Sequence, residues 1–172
     1  MATKVTPIDR EKVMREDDFI VSKTDTKGII TYGNRIFIEF SGYTEEELLG
    51  APHSIIRHPD MPRAVFKLLW DTITQGKEIF AYVKNMSKDG SYYWVFTNVT
   101  PSYDTQGNII GYYSVRRKPK ASGVAVASQV YKAMLEAEQK AGPAKAMEAS
   151  TKLLVDILTE KGLSYEELVL AI

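Results

Sequence analysis

Cysteine is absent from this sequence. That absence excludes disulfides, thiolate metal and iron–sulfur sites, a cysteine nucleophile and any thiol adduct to a cofactor. Any redox role would therefore have to come from a bound cofactor. Histidine is scarce too, with only His53 and His58, so no metal site is expected. No window approaches the run of about 18 apolar residues that a membrane span requires. The N-terminal stretch Met1 to Asp18 mixes acidic and basic residues without an apolar core, so it does not read as a signal peptide. The expected location is cytoplasmic. The 22 basic residues balance 22 acidic ones, which removes the electrostatic case for nucleic acid. GxSxG, HExxH, P-loop and GxGxxG motifs are all missing, and no nucleophile, base and orienter fall into a recognisable pattern, so the chain is not expected to be an enzyme.

What is present is a chain of 172 residues, 44% of them hydrophobic, enough for one core and a short appendage. Phe19 to Thr24 and Ile29 to Tyr32 read as strands around the polar turn Asp25-Thr26-Lys27-Gly28. Asn34 to Phe40 has apolar residues at helical spacing. Thr44 and Glu47 form a capping box for a short helix that Gly50 closes. Arg63 to Gln75 reads as a longer helix ended by Gly76. Three strands follow at Ile79 to Asn85, Ser91 to Pro101 and Ile109 to Arg116, joined by turn chemistry at 87–90 and 104–108. This order predicts an α+β fold: a five-stranded antiparallel sheet with short helices on one face and a pocket between them.

Composition changes after Pro119. Val124 to Ala141 and Ala144 to Lys161 predict two helices broken by Gly142-Pro143, and Ser164 with Glu167 caps a last short one. The chain thus divides into an N-terminal cap segment (1–16), a globular domain (17–120) and a C-terminal helical extension (121–172). Each long terminal helix has one apolar face. The faces could close on each other as a hairpin, or serve a homodimer or another partner.

The most unusual segment is Arg57-His58-Pro59-Asp60-Met61-Pro62, with Trp70 and Asn85 downstream. Two prolines bracket charged residues that are costly to bury without partners. With Asn34, Ser41-Gly42-Tyr43-Thr44, Gly50, Pro52-His53, Lys88-Asp89-Gly90, Tyr93-Trp94 and Tyr113-Ser114-Val115-Arg116, the element order over about residues 17–120 resembles the PAS sensor fold. More narrowly, it resembles the PAS domain of bacterial aerotaxis receptors, which binds FAD non-covalently. The ending at a capped helix, without membrane anchor or methyl-accepting coiled coil, resembles the stand-alone PAS proteins of bipartite energy-taxis systems. The resemblance implies a redox sensor that reports to a membrane-bound methyl-accepting transducer and is recruited through it to the inner membrane face.

In that reading Arg57, His58 and Asp60 match the motif implicated in FAD binding, and Trp70 and Asn85 match positions that pack on the isoalloxazine and bond its polar edge. Asn34, Tyr93 and His53 complete the candidate cofactor-binding set. The chemistry of each residue allows more than one role. Arg57 can fork onto a pyrophosphate or pair with Asp60. His58 and His53 can contact a cofactor or simply pack. Trp70 offers a flat apolar wall. Asn85, an amide in a buried strand, needs partners for four hydrogen-bonding sites. Tyr93 and Trp94 face opposite sides, so only one lines the pocket. Arg116, Arg117, Lys118 and Lys120 read as a solvated basic end of the last strand, or as a docking patch. Reduction of a flavin turns its N5 from acceptor to donor, which would mispair Asn85 at a cost of about 1–3 kcal/mol and shift a two-state equilibrium about tenfold. The rival readings are FMN in place of FAD, a haem gas sensor using His53 or His58, and a cofactor-free PAS interaction module.

Overall fold

The computed structural model describes residues 4–172; the first three residues of the expected cap segment lie outside them. Five strands, β1 (Ile20–Thr24), β2 (Ile30–Gly33), β3 (Ile79–Met86), β4 (Tyr92–Tyr103) and β5 (Ile109–Arg117), form one antiparallel sheet in the spatial order β2-β1-β5-β4-β3. Aspartates shape two of its hairpins. Asp25 Oδ1 accepts from the backbone N–H groups of Lys27 and Ile29 (2.8 and 3.0 Å), and Asp104 Oδ1 accepts from those of Gln106 and Asn108 (both 2.9 Å). Such a carboxylate imitates a backbone turn and sets the reversal. The chain then returns so that β1 pairs with β5 at the centre, Ser22 opposite Ser114.

Helices α1 (Arg35–Ser41), α2 (Glu45–Leu48) and α3 (Arg63–Ile73), with a 3-10 turn at His53–Ile56, lie against one face. Thr44 and Glu47 make the expected reciprocal capping box. Phe37, Leu48, Ile56 and Val65 from these elements pack with Ile20, Ile30 and Val95 of the sheet, all buried. N-terminal residues pair along the start of β4, where Lys12 donates to the Tyr92 carbonyl and Tyr92 N–H to that of Arg10 (2.7 and 2.9 Å).

The extension is three helices, α4 (Ala121–Ala141), α5 (Ala146–Lys161) and α6 (Tyr165–Ala171). As the hairpin reading of their apolar faces expects, α4 and α5 pack on each other, and all three helices dock onto their own domain, α4 and α6 against β3 and α5 against α3. The reason is that β3 is an edge strand with unpaired carbonyls, a feature proteins cover. The Tyr131 hydroxyl donates to the Tyr82 carbonyl (2.6 Å) and the Tyr165 hydroxyl to that of Phe80 (3.0 Å). Trp94 stacks on Tyr131, rings 6.3 Å apart and 18° from parallel. Gly123 allows this approach, since a Cβ there would lie 2.2 Å from the Tyr82 ring. Buried Glu138 joins the extension to α3 by accepting from Arg63 N–H (2.8 Å) and the Ser150 hydroxyl (2.7 Å). Among the described residues no helix is long and apolar enough to cross a membrane.

Candidate functional site

Between the inner face of the sheet and α3 lies a cavity of about 290 Å³. Its roof is one stripe of α3: Phe66, Leu69, Trp70 and Ile73 all point the same way because they stand at i, i+3, i+4 and i+7. Its floor follows from strand alternation, which sends every second side chain inward. That floor is partly apolar, through Val83, Val99 and Tyr112, but Ser22, Asn85, Thr97, Ser114 and Arg116 cross it as a polar stripe over four strands. At the rim, Gly28 adopts φ +80° and meets the indole edge; a Cβ there would lie 3.0 Å from Trp70 Cζ2. The same indole stands edge-on to Tyr112 at 5.6 Å. Among the described residues no carboxylate lines the cavity, whereas Lys27, Arg57 and Arg116 do.

The polar stripe is incompletely satisfied from within the protein. Asn85 is 5% exposed, and its Nδ2 finds no protein partner. Tyr93, opposite it on β4, points its hydroxyl toward the same amide without meeting hydrogen-bond geometry, and that hydroxyl is also unpartnered. Arg116 is 2% exposed and leaves Nε and Nη1 unused. Its Nη2 donates to the Ser22 hydroxyl, which lies 3.0 Å from His53 Nε2. Since a guanidinium only donates, Ser22 spends its proton on His53, whose Nε2 must carry the lone pair. Neutral His53 is what the surroundings favour: burial and the Arg116 cation hold its pKa down at about 3. The ring lies nearly parallel to Phe37 at 5.9 Å.

The structure brings four of the sequence-predicted residues, Arg57, Trp70, Asn85 and His53, to this one cavity. Arg57 and Asn85 are held side by side by a backbone bridge. The Arg57 guanidinium lies 4.0 Å over the Phe66 ring, and among the described residues it has no salt-bridge partner. Its expected alternative partner, Asp60, binds Lys84 instead (2.8 Å).

The other four lie elsewhere. His58 is buried away from the cavity, its Nδ1 accepting from Asp60 N–H (3.0 Å) and its ring edge-on to Tyr92. Burial and Lys84 lower its pKa against the opposing pull of Asp60. Asp60 is exposed. An extended, proline-bracketed backbone sends neighbouring side chains to opposite sides, so Arg57 turns in and His58 turns out. Asn34 has used its side chain on local backbone: Oδ1 accepts from Phe37 and Val21 N–H (3.0 and 3.1 Å), and Nδ2 donates to the Phe19 carbonyl (2.8 Å). Tyr93 faces inward but packs on Phe40 beyond the cavity lining.

Arg116 corrects the expectation of a solvated basic strand end. Of the other members of that cluster, Arg117 and Lys120 are exposed and Lys118 is half-buried. The signal that finds it is alternation, because Tyr112, Ser114 and Arg116 share a face. Among the described residues no group of three or more acidic or histidine side chains is placed to hold a metal.

Comparison with known proteins agrees with this geometry. Residues 30–116 match the sequence pattern of the family described as PAS fold. The chain is 40% identical over 121 residues to the aerotaxis receptor of Escherichia coli (strain K12), covering 70% of this chain and 24% of that protein. It is 29% identical over 97 residues to the nitrogen fixation regulatory protein of Klebsiella pneumoniae, covering 56% of this chain and 20% of that one. The chain thus spans about a quarter or less of the length of these relatives. Among solved structures, the light state of the blue-light photoreceptor Aureochrome1 LOV aligns with a TM-score of 0.56 and 26% identity, over 66% of this chain and 90% of that chain.

Proposed function

Because the chain belongs to the PAS-fold family, we propose that it is a redox-sensing signal module that binds FAD non-covalently. The carrying observation is the partly polar cavity whose buried donors, on Asn85 and Arg116, lack protein partners beneath an aromatic roof. A flat heterocycle with acceptor atoms along one edge and an anionic tail fits such a lining. Trp70 and Phe66 supply apolar surface for the ring, Asn85 bonds its polar edge, and Arg57 with Lys27 at the rim meets the phosphates. A cavity of about 290 Å³ has the size of a ring system, near the lower end of small-molecule pockets, which leaves a nucleotide tail to the rim. When bound, the flavin supplies reversible electron storage. The protein holds and orients it.

Likeness to an aerotaxis receptor supports a chemotaxis role, with the redox state passed to a membrane-bound transducer of the methyl-accepting type at the cytoplasmic face. The route follows β3: Asn85 faces the cavity, and the carbonyls of Phe80 and Tyr82 on the same strand hold α6 and α4. A change in the partner offered to Asn85 alters its pairing by about 1–3 kcal/mol, sufficient to bias the docked helices.

An absorption spectrum of the purified protein tests the cofactor, and heat release followed by chromatography tells FAD from FMN. Expected is a flavin spectrum bleached by dithionite. A Soret band would mean haem, and a colourless folded protein would leave a cofactor-free interaction module. For the switch, Asn85→Ala that retains flavin yet signals normally in a taxis assay would sink the amide's role.

A further inference from the structure

Arg116 is a charged group of the cavity floor to which the flavin reading above gives no specific role. It is a full positive charge, 2% exposed. Burying an unpaired ion is among the most costly things a fold does. Among the described residues no carboxylate forms a salt bridge with it, and none lines its cavity. What faces it from each packed element is neutral. Ser22 on β1 takes one donor, His53 of the 3-10 turn follows through Ser22, Tyr93 on β4 is held protonated by burial, and Phe37 of α1 lies 4.9 Å beneath the guanidinium. Burial pushes the Arg116 pKa down to about 10, so it stays charged at neutral pH. Nε and Nη1 have no hydrogen-bond partner among the described residues.

We propose that Arg116 is the buried counter-cation for negative charge on the reduced cofactor ring, and so selects a redox step in which electrons outnumber protons. The inference rests on the flavin reading above. Two electrons from dithionite with one proton, which forms the N5–H bond, leave a ring bearing one negative charge. A second proton, at N1, would neutralise it. A cation fixed in the cavity favours the charged product and disfavours that second protonation. Arg57 and Lys27, at the rim, serve the phosphate tail and are less able to act on the ring.

The test is a spectroelectrochemical titration of the flavin-loaded protein between about pH 6 and 8. With one proton per two electrons the midpoint moves about 30 mV per pH unit, and with two protons about 59 mV. Expected are the smaller slope in the wild type and in Arg116→Lys, and the larger slope in Arg116→Met. At the upper end of the range Arg116→Met should also show at least a tenfold loss of preference for reduced over oxidised ring, a drop of about 30 mV for a two-electron couple. A wild-type slope near the two-proton value overturns the proposal by itself, whether or not the methionine variant keeps its cofactor. So does an Arg116→Met protein with unchanged slope and midpoint, which would reduce Arg116 to packing on Phe37. Wild-type protein isolated without flavin would refute the cofactor reading instead.

Discussion

Acid should loosen this fold through His53. Its ordinary pKa of 6.5 falls to about 3 in the folded chain, first because the ring is walled off from water and second because Arg116 is close. Protonation would also end its bond with Ser22, since Nε2 could no longer accept the hydroxyl proton. The folded pKa lies below the unfolded one, so between these values the unfolded chain binds more protons. The contribution of His53 is therefore fully present above about pH 6.5 and is lost as the pH falls toward about 3. Each pH unit inside that window is worth about 1.4 kcal/mol. Going from neutral pH to about pH 5 should remove about 2 kcal/mol, a large share of a typical domain stability of about 5–15 kcal/mol.

Urea unfolding at about pH 7 and pH 5, followed by circular dichroism in wild type and His53→Gln, isolates this contribution. Glutamine can still accept from Ser22 but does not titrate. His58, whose pKa is also lowered, is common to both proteins and cancels. The glutamine variant should lose about 2 kcal/mol less than wild type on acidification. Equal losses would refute the reasoning. Arg116→Met supplies a second check, because without the neighbouring cation His53 binds its proton at higher pH and the acid penalty shrinks.

Two further substitutions probe the cavity mouth and the helical extension. Gly28→Ala places a Cβ at positive φ and 3.0 Å from the Trp70 ring; it should cost more than about 1 kcal/mol in urea unfolding and shift Trp70 fluorescence, and an unchanged spectrum would mean that the indole does not rest there. Glu138→Ala leaves the Arg63 N–H and the Ser150 hydroxyl without their shared acceptor, a loss of about 2–3 kcal/mol. Hydrogen exchange should localise that loss to the start of α3 and the α4–α5 contact, and a change below about 0.5 kcal/mol would mean that the carboxylate is replaceable by solvent.

Local chemistry was legible in the sequence where it acts over a few residues. Asp25, Asp104, Thr44 with Glu47 and Ser164 with Glu167 each make the turn or cap that their spacing implies. The 3.6-residue stripe that carries Trp70 was likewise readable. Arg57, His58 and Asp60 fared unevenly because contiguity in sequence is not contiguity in space for an extended chain. Arg116 was hidden by its company: beside Arg117 and Lys118 it looks like one charged run, and only the two-residue period separates inward from outward. The docking of the extension had a signal too. Phe80, Tyr82, Trp94 and Phe96 place aromatics on the face opposite Val83, Val95 and Val99, and a sheet apolar on both faces expects cover on both. What no local rule could supply was which helix covers it, since the Tyr131 to Tyr82 bond joins residues 49 apart.

The two faces of the β3–β4 half of the sheet are built to opposite rules. Beneath the extension, the carbonyls on the β3 edge have partners and the aromatic rings interlock, so that side is dry and closed. On the other face, Asn85 Nδ2 of β3, Tyr93 Oη of β4 and two nitrogens of Arg116 on neighbouring β5 have none among the described residues. A buried donor left without a partner costs about 1–3 kcal/mol, a sizeable share of a typical domain stability. A fold that needed only to be stable would fill these inner positions with valine, as it does at Val83, Val95 and Val99. Asn85 and Arg116 line one cavity, with Tyr93 just beyond its lining, and a ligand carrying complementary acceptors would recover their cost. Such a ligand adds to folding stability by mass action and reaches the closed side through strands whose outer edge already holds the helices.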